Sequence, residues 1–141
     1  MPKALLLENI HPDAAKSLRD RGFEVETMKG ALNEDELIDA LEGVDLVGVR
    51  SKTNVTARVL NARPTLSAIG CFCIGTNQVD LDYAGKHGIA VFNAPYSNTR
   101  SVVELVICDI ICLMRRIPAH THHIKHCLLY TSPSPRDRSV S

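Results

Sequence analysis

The sequence carries no net charge, since 16 Lys and Arg balance 16 Asp and Glu. A chain without an excess of either sign has no field to draw it onto nucleic acid or an anionic membrane, and neither is expected as a partner. Long apolar runs are missing as well. The best candidate, residues 102–114, is broken by Glu104 and Asp109, so no segment suits a bilayer span. The opening Met-Pro-Lys-Ala-Leu-Leu-Leu lacks the charged region, apolar stretch and small-residue cleavage site of a secretory leader. Five cysteines, an odd number without a leader, do not read as a disulfide framework and fit reduced thiols in the cytoplasm. There is no G-x-G-x-x-G nucleotide loop, no Ser-His-Asp or Cys-His arrangement, and no internal repeat. What is present is 141 residues, 45% hydrophobic and 23% charged, with room for one ordinary domain and a real core.

Short apolar stretches alternate with helical patterns. Lys3 to Glu8 suits a buried strand, Pro12 can open a helix that Gly22 closes, and Phe23 to Thr27 suits a second strand. Asn33 and Glu36 have capping-box spacing at the head of the next helix, which Gly43 ends before a strand at Asp45 to Val49. Thr56 starts a short helix finishing near Pro64, Leu66 to Cys71 is a fourth strand, and Asp80 caps a helix ended by Gly88 before a fifth strand, Ile89 to Phe92. Glycine at a helix end permits the left-handed cap that tight connections require. Strand–helix alternation at this density predicts an α/β fold with a doubly wound parallel sheet. Ligands then sit beyond the carboxyl ends of the strands, in the loops after Thr27, Val49, Cys71 and Phe92.

The loop Arg50-Ser51-Lys52-Thr53 places two cations, two hydroxyls and a run of backbone amides at a strand end. It reads as an anion receptor or, with equal weight, as a solvated turn. Lys29-Gly30 adds a weaker basic element. In Gly70-Cys71-Phe72-Cys73-Ile74-Gly75-Thr76-Asn77 the glycines bracket a turn and are expected to let a ligand approach the backbone. Cys71 and Cys73 lack further ligands at metal spacing and read as buried, inert thiols. The loop from Asn93 through Asn98 to Arg100 can orient an anion or merely cap a helix. Ser101 and Glu104 predict a capping box opening a helix to about Ile117 that is apolar over most of its circumference, so neighbours are expected on nearly every side. His120, His122, His123, His126 and Cys127 resemble a ligand cluster, but no acid accompanies them and the segment is read as turning into loop, so no metal is expected.

The words Gly70-Cys-Phe-Cys-Ile-Gly-Thr-Asn-Gln-Val-Asp80 and Phe92-Asn-Ala-Pro-Tyr-Ser-Asn-Thr-Arg-Ser-Val-Val-Glu-Leu105, with Val49 to Thr53 and Lys29 to Leu32, resemble the D-isomer-specific 2-hydroxyacid dehydrogenases. The likeness runs from Met1 to about His126 and is nearest to the bacterial and fungal phosphoglycerate dehydrogenase branch. It implies a flavodoxin-like substrate (catalytic) domain over residues 1–100, an inter-domain helix over 101–117, and the start of a nucleotide-binding Rossmann domain over 118–126, the rest of that domain missing. It also implies NAD-dependent oxidation of 3-phospho-D-glycerate to 3-phosphooxypyruvate in L-serine biosynthesis, in a homo-oligomeric cytoplasmic parent.

By the same resemblance, Arg50, Ser51, Lys52, Thr53, Lys29, Gly75 and Asn98 contact substrate. Ile74 lies near the nicotinamide, where related subtypes carry Thr. The family's Arg, Glu and His catalytic set has no counterpart in this sequence, so the chain alone is expected to be inactive. Alternatives within the same fold are another D-2-hydroxyacid substrate, 2-oxoglutarate reduction, or an NAD-sensing corepressor-like binding protein. The final stretch, residues 127–141, reads as a disordered tail and, through Cys127-Leu-Leu-Tyr-Thr-Ser-Pro-Ser-Pro-Arg-Asp137, as one translated frame of a transposase sequencing adapter.

Overall fold

Five parallel strands form one sheet in the order β2-β1-β3-β4-β5: β1 (Lys3–Leu6), β2 (Glu24–Thr27), β3 (Leu46–Val49), β4 (Ala68–Cys71) and β5 (Ala90–Asn93). The structure is a computed structural model and describes residues 1–126. Four helices connect the strands, α1 (Pro12–Arg19), α2 (Glu34–Ala40), α3 (Ala57–Ala62) and α4 (Leu81–Lys86). The flavodoxin-like order predicted for the chain is the observed one. Central strands are buried on both faces, as parallel sheets require: Leu5, Leu6, Val47, Val49 and Ile69 are all at most 1% exposed. Leu37 and Leu41, Val59 and Leu60, and Ala84 bring α2, α3 and α4 onto the same core, while α1 buries Ala15.

The local signals act as expected. Asn33 Oδ1 accepts from the Glu36 amide at 2.9 Å while Glu36 Oε2 accepts from the Asn33 amide at 2.9 Å, a complete capping box. Asp80 Oδ1 caps α4 through the Tyr83 amide at 2.9 Å. Gly22, Gly43 and Gly88, each between a helix and a strand, adopt φ of +87°, +68° and +73°. Strands β1 to β4 are one or two residues shorter than the apolar runs, and β5 is displaced by one residue. Most consequential is β1, which ends at Leu6 and leaves Glu8 and Asn9 outside it, at φ 57° and 54°.

The chain divides after Ser97. The second unit holds α5 (Thr99–Met114) and α6 (Ile117–Lys125). The predicted Ser101–Glu104 capping box does not form. Asn98 is the N-cap, without a side-chain bond, and Glu104 Oε1 instead accepts from Arg100 Nε at 2.7 Å. The expected single helix followed by loop is also corrected. Pro118 cannot continue α5, because it lacks an N–H and would clash with the carbonyl four residues back, yet it is tolerated in a first turn. The chain therefore breaks at Arg116, which takes a left-handed φ of 49°, and restarts as α6, carrying the histidines on a helix. Among the described residues no group of His, Cys, Asp and Glu is placed to hold a metal, and no helix is long and apolar enough to cross a membrane. Cys127 and the segment read as adapter lie outside the described residues.

Candidate functional site

The chain runs from β1 outward to β2, then returns across β1 to β3, so the strand order reverses between β1 and β3. In open parallel sheets such a reversal splays the connections apart and leaves a crevice at the carboxyl ends of the two strands. Glu8 follows β1 at that point and Arg50 follows β3 directly. The crevice there is a cavity of about 390 Å³ lined by Glu8, Lys29, Gly30, Ala31, Arg50, Ser51 and Lys52. Lys29, Arg50 and Lys52 are exposed and form no salt bridge among the described residues. Three cations around one cavity have the charge to accept an anion with more than one charged group.

The backbone amides of that loop are arranged differently from expectation. They converge on the side chain of Glu8. Its Oε1 accepts from the amides of Arg50 (3.1 Å) and Thr53 (2.9 Å), and its Oε2 from those of Ser51 and Lys52 (3.1 Å each). The amide run read as a receptor for an external anion is thus filled by an internal one, leaving the side chains of Lys29, Arg50, Ser51 and Lys52 around the cavity.

Glu8 is only 8% exposed. Burial pushes its carboxyl group up, but hydrogen bonds from Thr53, Arg50 and Lys52 outweigh burial and hold it below the ordinary glutamate value. The same bonds sustain the backbone. A left-handed non-glycine residue costs about 1–2 kcal/mol, whereas each hydrogen bond to a charged group contributes about 1.5–3 kcal/mol net, so the turn at Glu8 and Asn9 is held with margin. The Glu8 amide donates to Gly30 O at 3.1 Å and the Asn9 amide to Met28 O at 3.3 Å, which ties the Lys29 loop to the same turn.

A second buried polar side chain, Gln78 at 5% exposure, grips the loop from the other side. Its Nε2 donates to Arg50 O at 2.7 Å, with longer contacts to Cys73 Sγ (3.2 Å) and Gly75 O (3.4 Å). Thr53 is fully buried and does not line the cavity. Its hydroxyl lies against the Glu8 carboxylate without a well-formed hydrogen bond, the one such buried side-chain atom among the described residues.

The glycine loop also departs from expectation. Gly70 and Gly48 face each other across β3 and β4, and the space above them is taken by the chain itself. A Cβ at Gly48 would meet Leu6 Cδ2 at 2.5 Å and Phe72 Cε2 at 3.0 Å, and one at Gly70 would meet Phe72 Cε2 at 3.3 Å. These glycines accommodate a packed phenylalanine rather than a ligand. Gly75 is exposed, though a Cβ there would meet Asn77 Oδ1 at 2.7 Å, and Ile74 is 47% exposed while its carbonyl accepts from Asn93 Nδ2 at 2.7 Å. Asn98 belongs to the second unit. Cys71 is buried, and burial followed by the neighbouring Cys73 pushes its thiol up to about 11, consistent with an inert residue.

Neither Glu8 nor Gln78 was singled out from sequence. Glu8 reads as the polar last residue of a strand, although an acid at a strand's carboxyl end, one strand away from a basic loop, is the signal that could have found it.

Residues 4–134 match the D-isomer specific 2-hydroxyacid dehydrogenase catalytic domain, a range that runs past His126. The chain is 53% identical over 117 residues to the D-3-phosphoglycerate dehydrogenase of Escherichia coli strain K12, covering 82% of this chain and 28% of that protein. It is 52% identical over 115 residues to the D-3-phosphoglycerate dehydrogenase of Dictyostelium discoideum, with the same two shares. The chain therefore spans about a quarter of the length of the curated relatives it matches. Among solved structures, the TT0316 protein of Thermus thermophilus superposes with a TM-score of 0.76 at 25% identity, covering 94% of this chain and 43% of that one. The PH0520 protein of Pyrococcus horikoshii gives 0.71 at 26% identity, over 95% and 41%. The reversal-point crevice, its cationic loop and these matches agree: the chain belongs to the D-isomer specific 2-hydroxyacid dehydrogenase family, as its catalytic (substrate-binding) domain.

Proposed function

We propose that this domain binds the substrate of an NAD-linked oxidoreductase that converts the CH–OH group of 3-phospho-D-glycerate to the carbonyl of 3-phosphooxypyruvate, the entry step of L-serine biosynthesis. The observation that carries the reading is the set of three cations, Lys29, Arg50 and Lys52, without an ion pair among the described residues, around one cavity at the strand reversal. Arg50 suits bidentate contact with a carboxylate or phosphate, and the lysines supply point charges for the second group. A monoanionic 2-hydroxyacid would leave part of that charge unused. Relatives that carry the name D-3-phosphoglycerate dehydrogenase support the choice.

NAD would accept the hydride in such a reaction. The residues of this chain do not fit the whole cofactor, because the sequence has no glycine-rich phosphate loop and neither Ile74 nor Gly75 lines the cationic cavity. No chemical step is derived through it. What this chain's residues do is hold the two anionic ends of the substrate and set its orientation. Ser51 lines that crevice, the buried Thr53 supports it through its amide bond to Glu8, and Gly75, outside the lining, is kept as a proposed contact. We propose Asn98 as a further substrate contact, and a cytoplasmic homo-oligomer for the full-length protein.

Two measurements test the reading. Titrating the chain with 3-phosphoglycerate and with D-lactate should show preferential binding of the former, with resonances of Lys29, Arg50 and Lys52 perturbed together. Cloning the locus at the length of the relatives should yield NADH formation from 3-phosphoglycerate. A locus without a G-x-G-x-x-G loop, or equal binding of the two acids, would overturn it. The same clone reports on residues 127–141, since a native codon run through them would defeat the adapter origin.

A further inference from the structure

We infer that Glu8 is the positioning residue of the anion-binding loop, filling its backbone amides so that the loop meets a ligand with its side chains, Arg50 and Lys52 foremost, and not with its peptide N–H groups. The inference rests on the cleft reading above and adds to it a residue and a mode of recognition.

Three observations meet at Glu8. Its carboxylate accepts from four successive amides, Arg50 to Thr53, at 2.9–3.1 Å. With two acceptor oxygens and a pair of donors on each, no strong site is left over for a guanidinium or ammonium. Accordingly none of the three cations forms an ion pair with it. The carboxylate keeps its charge, but its lone pairs are taken up by peptide N–H groups and not by Arg50 or Lys52.

The second observation is that the backbone of Glu8 is itself anchored to the loop bearing Lys29, through Gly30 O at 3.1 Å. One residue thus fixes the spacing between the cations that follow β2 and β3. The third is Gln78, whose Nε2 holds Arg50 O at 2.7 Å. The peptide groups flanking Arg50 are therefore gripped on both sides by side chains that are 8% and 5% exposed. Buried, fully bonded polar groups of this kind set geometry at a site.

Replacing the carboxylate with an amide is the direct perturbation. In Glu8→Gln the side chain keeps its length, but its NH2 faces two amide donors it cannot satisfy, so half of the loop is released. The full chain, Glu8→Gln, Glu8→Ala and Gln78→Met should be compared by amide NMR and by titration with 3-phosphoglycerate and inorganic phosphate, with the unfolding midpoint measured in the same buffer.

The expected result for folded Glu8→Gln is 3-phosphoglycerate affinity weaker on the order of ten- to a hundredfold, the range seen when support behind a binding group is lost. Gln78→Met should weaken it in the same direction and less. In Glu8→Ala, formate should occupy the vacated position, shift the Arg50 to Thr53 amides back, and restore part of the affinity. A residue that merely stabilised the fold would move the midpoint and show no such rescue.

Unchanged affinity in a folded Glu8→Gln, or formate without effect on those amides in Glu8→Ala, overturns the proposal while leaving the cleft reading intact. Should Glu8→Gln not fold, unchanged affinity in Gln78→Met overturns it instead. If the unsubstituted chain binds neither probe, the cleft reading itself fails and takes this proposal with it.

Discussion

Gly48 offers the sharpest test of how this sheet is packed. It sits in β3 two residues before Arg50, pairs with Gly70, and its carbonyl accepts from the Leu7 amide at 2.9 Å. Its φ lies outside the left-handed region, so alanine is allowed by the backbone and the neighbours alone decide the outcome. An added Cβ would come within 2.5 Å of Leu6 Cδ2, 3.0 Å of Phe72 Cε2 and 3.2 Å of Ile10 Cδ1. Phe72, 43% exposed, can swing away, but Leu6, 1% exposed, can yield only by giving up its present packing and shifting toward the cavity it lines with Ile10 and Ala15. Overpacking of this kind costs about 1–3 kcal/mol, against a gain of about 0.4–1 kcal/mol from stiffening the unfolded chain. Gly48→Ala should therefore lose about 1–2 kcal/mol, lowering the urea midpoint by roughly 0.5–1 M.

Gly85 is the control. It lies in α4 with open space where a Cβ would go, so Gly85→Ala should raise stability by about 0.5–1 kcal/mol. Combining Gly48→Ala with Leu6→Val, which removes the clashing methyl group, should show a coupling energy above about 0.5 kcal/mol. Strict additivity, or Gly48→Ala as stable as the parent chain, would refute the steric account.

Three further outcomes are expected. Because the Glu8 carboxyl is held below its ordinary value, its contribution to stability is present above the unfolded glutamate range and is lost as pH falls through and below it. Acid unfolding of Glu8→Gln should accordingly depend less steeply on pH between about 5 and 3 than that of the parent, and identical slopes would count against the amide cluster. Cys71, buried and with its thiol pushed up to about 11, should resist iodoacetamide in native buffer and react after urea is added, as read by mass spectrometry of the peptides. In α5 the side chains of Val102, Val106, Ile107, Ile110 and Ile111 are each about half exposed, 49–52%. Such a surface predicts concentration-dependent association of the chain, and a monodisperse monomer by sizing with light scattering would contradict it.

The sequence by itself determined the elements, their order and the parallel sheet. These follow from signals local to a few residues: the Asn33–Glu36 box, the Asp80 cap, and the glycines at 22, 43 and 88 that permit a left-handed turn between helix and strand. The cationic loop was legible too, because its residues are contiguous. Local signals failed where they competed, as at Ser101, whose partner Glu104 pairs with Arg100, and at Pro118, which ends one helix by beginning another.

Tertiary structure alone decided what fills the space at the strand ends. Glu8 and the amides of Arg50 to Thr53 are separated by more than 40 residues, and only the reversal of strand order between β1 and β3 brings them together. Whether a glycine makes room for a ligand or for the chain's own Phe72 depends likewise on strand register, which pairs Gly48 with Gly70. Capping and turn preferences act over one helical turn and are written in neighbouring letters; a carboxylate's choice between solvent, a cation and four peptide dipoles is made by the geometry of distant strands.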